Sequence, residues 1–186
     1  MHGTWLANLV ARPFQGIAMP RLNTVLKRLL FAVSAATVMA AAVPANADVL
    51  GTTGYNSGSQ AFGLSLDGNA SSPNAGGFAG TWNAGAIVFW CIELDQYFGF
   101  GGNYGDYVPS APDNPTFTML GQLFNEAYGA ATADAQHSAA FQLAIWEIVY
   151  DGDLDLHAGG FKVTSGDAAT VAIAQGWLAA LGNFTD

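Results

Sequence analysis

The chain has 186 residues, and its five basic and fourteen acidic side chains give a formal charge of −9. Four of the basic residues precede position 29, so the part after Ala47 sets one lysine against fourteen carboxylates, a formal −13. A surface of that sign repels a phosphate backbone and excludes nucleic acid as a partner, while 51% hydrophobic residues exclude a disordered chain.

The first element is a leader. Arg21, Lys27 and Arg28 form a positive region, Leu29 to Val43 an apolar one, and Ala45-Asn46-Ala47 a small-residue cleavage site. The apolar stretch falls short of the roughly 20 residues a spanning helix needs. Residues 19–47 therefore read as a signal peptide starting at Met19, and residues 1–18 as an over-extended start. The mature chain begins at Asp48 as a single domain over 48–186, extracellular or at the cell surface, with no transmembrane helix.

In that domain Phe62, Leu64 and Leu66 alternate as in a half-buried strand. Asp67-Gly68-Asn69 is a turn, Ser71 to Gly77 a loop, and Phe78 to Trp82 a short strand. Ala86 to Phe98 is the strongest strand. Ile87, Phe89 and Cys91 share one face, and Val88, Trp90, Ile92 and Leu94 the other. Apolar residues on both faces up to Ile92 place its first half centrally in a sheet. Tyr97 to Val108 mixes aromatics with glycines as a loop or irregular hairpin, and Pro109 to Pro115 breaks regular structure. Helices are expected over Phe117–Tyr128, ended by Gly129, and from a cap at Thr132 or Asp134 to about Tyr150. Gly160 to Thr164 is a strand, and a last helix runs from about Asp167 to Leu181. The class is α+β: an antiparallel sandwich or barrel-like sheet with an inserted helical hairpin and a C-terminal helix.

Two residues stand out chemically. Cys91 is the only cysteine, and in an exported chain it has no internal disulfide to make. Gln142 shares a helix face with Ser138, Ile145, Trp146 and Val149, a face that burial would make apolar, so its carboxamide needs a partner. A thiol pressed against a carboxamide can form an acyl thioester with loss of ammonia. Phe89, Trp90, Phe141 and Trp146 would frame such a pair and keep water out. The blander reading is a core cysteine beside a hydrogen-bonded glutamine.

Phe141-Gln142-Leu143-Ala144-Ile145-Trp146 resembles the glutamine motif of thioester domains in bacterial surface adhesins, written Thr-Gln-x-Ala-Ile-Trp. Trp90-Cys91-Ile92 resembles their cysteine motif, and cysteine before glutamine by some fifty residues is their order. Glu147 to Asp151 and Gly176-Trp177-Leu178 extend the likeness to exported PEP-CTERM proteins of Gram-negative bacteria that carry this domain. Phe141 departs from the usual threonine. No Pro-Glu-Pro sorting motif or C-terminal membrane segment follows, so the domain is either truncated or exported by another route. The resemblance implies a Cys91–Gln142 thioester that bonds covalently to an amine on a surface protein or polysaccharide. It would be adhesion rather than turnover, so the chain is expected not to be an enzyme and to need no cofactor. His137, early in the same helix, is a candidate proton relay.

Three further groupings compete. A Cys-His hydrolase would need Cys91 with His137 or His157 and an acid such as Asp95 or Asp134. Asp151 to Asp155 alternates carboxylates, but Leu156 and Lys162 stand where an EF-hand loop needs glycine and glutamate. A weak calcium site is the alternative at these carboxylates, but the turn is expected to end the helix, and no metal site is expected. Tyr97 and Tyr104 in the glycine–aromatic stretch can stack on sugars. Together with Trp90, Phe141 and Trp146 they are the candidate binding residues. They supply the alternative function, a noncovalent carbohydrate-binding or structural matrix module.

Overall fold

The computed structural model describes residues 48–97, 99–107 and 114–181. The expected leader and start, Phe98, Val108 to Asp113 and the last five residues lie outside them. Two antiparallel sheets, a two-stranded ladder and three helices make up an α+β fold with a sandwich-like sheet, as the sequence pattern predicts.

The first sheet runs β7-β6-β1-β8. It comprises β1 (Asp48–Tyr55), β6 (Phe78–Trp82), β7 (Gly85–Phe89) and β8 (Asn103–Tyr107). β6 and β7 form a hairpin closed by Asn83 and Ala84, both at positive φ (47° and 68°). A two-residue turn of that hand matches strand twist but costs strain at the alanine. The second sheet runs β4-β3-β9, with β3 (Gly63–Leu66), β4 (Asn69–Ser71) and β9 (Phe161–Ser165). Asp67 and Gly68, at φ 51° and 83°, make its hairpin turn where the sequence signals one. β2 (Gln60–Ala61) pairs with β5 (Asn74–Ala75), so the stretch expected as loop contributes a short strand, and the strand expected through Phe62, Leu64 and Leu66 is broken at Phe62.

Helix α1 is Pro115–Ala131, α2 is Ala135–Tyr150 and α3 is Ala168–Leu181. Asn114 caps α1 through a bond from the Phe117 N–H, and Asp134, not Thr132, caps α2 through the His137 N–H. α1 continues past Gly129 because Ala130 and Ala131 are strong helix formers and Ala131 is fully buried. Every residue of α2 from Ser138 to Ile148 is buried, so it is the central helix of the domain rather than an amphipathic surface one. Among the described residues no helix is long and apolar enough to cross a membrane.

Two expectations about the strands change. β7 stops at Phe89 and lies at the sheet edge. Its faces are both apolar because each meets a different hydrophobic cluster, not because strands flank it. Val88, Trp90 and Ile92 join the large core with the helices, while Ile87, Phe89 and Cys91 join Leu50 and Phe78 in a small one. The second change is β8, which the glycines around Tyr104 hide from a period-two reading. Its lead-in holds β1 through Thr52 N–H to the Gly102 carbonyl (3.0 Å) and Gly101 N–H to the Thr52 carbonyl (2.7 Å).

The first sheet is fastened to α2 just behind Cys91. The buried Ser138 hydroxyl accepts from the Gly77 N–H (2.8 Å), and the Ser138 carbonyl accepts from Trp90 Nε1 (3.2 Å). A Cβ on Gly77 would stand 2.6 Å from the Trp90 ring, so only glycine lets the strand approach. Replacing Ser138 with alanine leaves the Gly77 N–H buried without an acceptor. Urea unfolding should show Ser138→Ala destabilised by about 1–3 kcal/mol with an unchanged m value.

Candidate functional site

Beyond Phe89 the chain leaves the sheet, and the Cys91 backbone loses the strand partner it would otherwise have. Gln142 supplies it. The Cys91 N–H donates to Gln142 Oε1 (3.1 Å), and Gln142 Nε2 donates to the Cys91 carbonyl (2.6 Å). One residue's N–H and C=O both answered by a single partner is the pattern of a hydrogen-bonded antiparallel pair, here made by a side-chain amide. Gln142 is 1% exposed and Cys91 6%. The partner that a buried glutamine requires is therefore the residue the sequence singles out.

The pair is held from both sides. α2 is immobilised by its buried circumference, and Phe141, next to Gln142, packs edge-on against Trp90 (4.8 Å) and Phe124 (4.9 Å). Trp90 and Phe141 thus back the pair as an aromatic wall. On the next stretch the Leu94 N–H donates to the Tyr150 hydroxyl (2.8 Å), tying the chain after Cys91 to the end of α2.

Cys91 and Gln142 line a cavity of about 350 Å³. Glu93, Asp95 and Gln96 supply its polar wall, and Tyr55, Phe78, Phe100 and Trp146 its apolar one. Tyr55 stacks on Phe78 (5.0 Å) and meets Phe100 edge-on (5.2 Å). Two buried polar atoms of the lining residues, Gln96 Oε1 and Trp146 Nε1, have no hydrogen-bond partner. Tyr97, 93% exposed, stands at the rim. Burial, and then the charge of Glu93, push the Cys91 thiol well above its ordinary pKa, so it rests protonated.

The remaining candidates lie elsewhere. His137 Nδ1 is paired with the Asp134 carboxylate (2.8 Å), and its ring faces Trp177 at 6.1 Å. His157 is exposed on the loop after α2. Neither lines the Cys91 cavity, so the structure does not assemble a Cys-His hydrolase from the described residues. Tyr104 turns back on its own loop, its hydroxyl bonded to the Gly99 N–H and carbonyl. Glu93 and Asp95 are legible from the strand, since they share parity with Cys91. Tyr55 and Gln96 carry no sequence signal, because only the fold brings them beside the pair.

No family model, curated protein or solved structure matches this chain.

Removing the carboxamide exposes what it satisfies. Gln142→Ala should lose roughly 2–5 kcal/mol of stability, since the Cys91 N–H and carbonyl are left buried and unpaired. Gln142→Glu, whose carboxyl can still reach both groups, should lose less at pH 5 than at pH 8. Chemical denaturation at the two pH values checks both.

Proposed function

We propose that Cys91 and Gln142 form an internal thioester and that the protein uses it once, to bond covalently to an amine on a surface or matrix target. The observation that carries this reading is the two-point contact between the Gln142 carboxamide and the Cys91 backbone inside a cavity that both residues line. The likeness of their flanking motifs to adhesin thioester domains points the same way.

The contact suits the chemistry. In thioester formation the Cys91 Sγ–Gln142 Cδ bond forms, the Cδ–Nε2 bond breaks, the thiol proton passes to Nε2, and ammonia leaves. Negative charge developing on Oε1 meets the Cys91 N–H, a fixed donor in a water-poor site. The Cys91 carbonyl, already accepting from Nε2, favours the departing nitrogen as it gains a proton. Fixing both groups on buried elements removes most of the entropic cost of bringing them together. A thiol kept protonated by burial carries the needed proton itself, and the neutral thioester relieves that site of any tendency to charge. Glu93, whose charge reaches Cys91, is better placed than His137 to relay the proton.

The cavity's polar wall indicates the target. Glu93 and Asp95 favour a cationic amine such as a lysine side chain, and the unpartnered Gln96 Oε1 can accept from its N–H. A wall carboxylate first takes one proton from the ammonium; the neutral amine then attacks, the N–Cδ amide bond forms, Sγ–Cδ breaks, and a second proton passes from nitrogen to sulfur. The protein is no turnover enzyme in this account, and it needs no cofactor.

A second reading has its own support: Tyr97 and Phe100, both exposed, stand at the same cavity beside Glu93 and Asp95, an arrangement that suits noncovalent sugar binding. One experiment separates them. Incubated with a biotinylated primary amine, wild-type protein should be labelled at Gln142 by peptide mapping, with one free thiol released per label. Cys91→Ala and Gln142→Ala should take no label. Unlabelled wild type, with polysaccharide binding that survives Cys91→Ala, would replace the covalent account with the sugar-binding one.

A further inference from the structure

At the other end of α2 from its cap, a second group of side chains has no part in the thioester account. Glu147 is fully buried in the last turns of the helix. Its Oε1 accepts from the Leu154 N–H (3.1 Å), but its Oε2 has no hydrogen-bond partner. Asp151 and Asp153, on the loop that follows, bring carboxylate oxygens to it, and the three ligand atoms all lie within 4.8 Å of one another. Among the described residues the sole ion pair is His137 with Asp134, so no basic side chain neutralises this group.

The loop is shaped around the carboxylates. Asp151 Oδ2 accepts from the Gly160 N–H (2.5 Å) and the Phe161 N–H (3.2 Å), and Asp153 Oδ1 accepts from the Asp155 N–H (2.9 Å). Each aspartate is thereby oriented by backbone. Gly159, at φ 71°, packs so closely that a Cβ there would collide with Asp151 Oδ2 and stand 2.6 Å from Asp153 Oδ2. Leu154 takes the left-handed conformation (φ 66°), unusual for leucine, and its N–H is the one bonded to Glu147.

We infer that Glu147, Asp151 and Asp153 bind a hard divalent cation of the calcium class. Oxygens around one calcium ion sit about 2.3–2.6 Å from it, so ligand pairs up to about 5 Å apart can share it. Carboxylate oxygens alone select calcium, magnesium or manganese over softer metals. Calcium is favoured because it accepts irregular geometry, and one helix residue plus a loop of this shape does not offer an octahedron. The ion would answer the orphaned Glu147 Oε2, which otherwise lies buried among like charges. The sequence test against an EF-hand misses this arrangement because Glu147 precedes the acidic turn and is supplied by the helix.

The inference does not depend on the thioester. Full-length protein treated with chelator should gain about 5 °C in Tm on adding 5 mM calcium chloride at pH 7.5, with a smaller gain for magnesium chloride. Glu147→Gln and Asp153→Asn should each lose most of that gain, and calcium titration calorimetry should show one site in wild type and none in either variant. Asp153 is exposed, so its variant is expected to fold even if the Glu147 variant does not. A wild-type Tm that ignores calcium, or an equal gain in Asp153→Asn, overturns the inference. So does a Tm that rises as pH falls from 8 to 5 yet never responds to calcium, since a proton would then be what satisfies Glu147.

Discussion

The domain turns on one side-chain amide standing in for a strand. Where β7 ends, the chain crosses from the small aromatic cluster to the large helical core, with Trp90 on one side and Cys91 on the other. At that crossing a buried N–H and carbonyl would go unpaired, a cost of a few kcal/mol. Gln142 removes it with two hydrogen bonds, and the central helix is thereby registered against the sheet. The Ser138 bridge to Gly77 and Trp90, one turn earlier on the same helix, fixes the same register. Structural necessity and chemical opportunity thus fall on the same atoms: the contact that completes the fold also sets the glutamine amide against the cysteine.

α2 carries polar side chains that the rest of its sequence makes improbable, and each has an identifiable task. Ser138 anchors the sheet, Gln142 completes the edge, and Glu147 meets the acidic loop. In a helix buried all round, a polar side chain without a partner costs stability, so each of the three has to meet a group that needs it. Ser138 and Gln142 are aimed at specific backbone groups, and Gln142 and Glu147 carry the proposed thioester and cation sites.

Much of this was legible in the sequence because the informative residues are locally patterned. Alternation at Leu64 and Leu66, the Asp67-Gly68 turn, and the helical spacing after Asp134 each depend on neighbours a few residues away and reappear in the structure, whereas Phe62 falls in the break between β2 and β3. Cys91 and Gln142 stand out by composition, by helix face and by the likeness of their flanking motifs to thioester domains, and the structure supplies the hydrogen bonds. What stayed hidden depends on long-range packing. β7 looks like a central strand because two clusters cover it, and β8 looks like a loop because glycines break its alternation. Tyr55 and Gln96 join the cavity only through topology, and Glu147 completes the acidic group from outside the turn that a loop motif would scan.

In the proposed reading the Cys91–Gln142 contact matures into a bond. Intact mass spectrometry of freshly purified, acid-quenched protein tests it most directly. With the thioester in place the mass should be lower than that of the processed chain by one ammonia, and no thiol should be open to alkylation after unfolding. A full-length mass together with one alkylated cysteine in the unfolded chain would contradict it, leaving Gln142 as the partner of a strand end and nothing more.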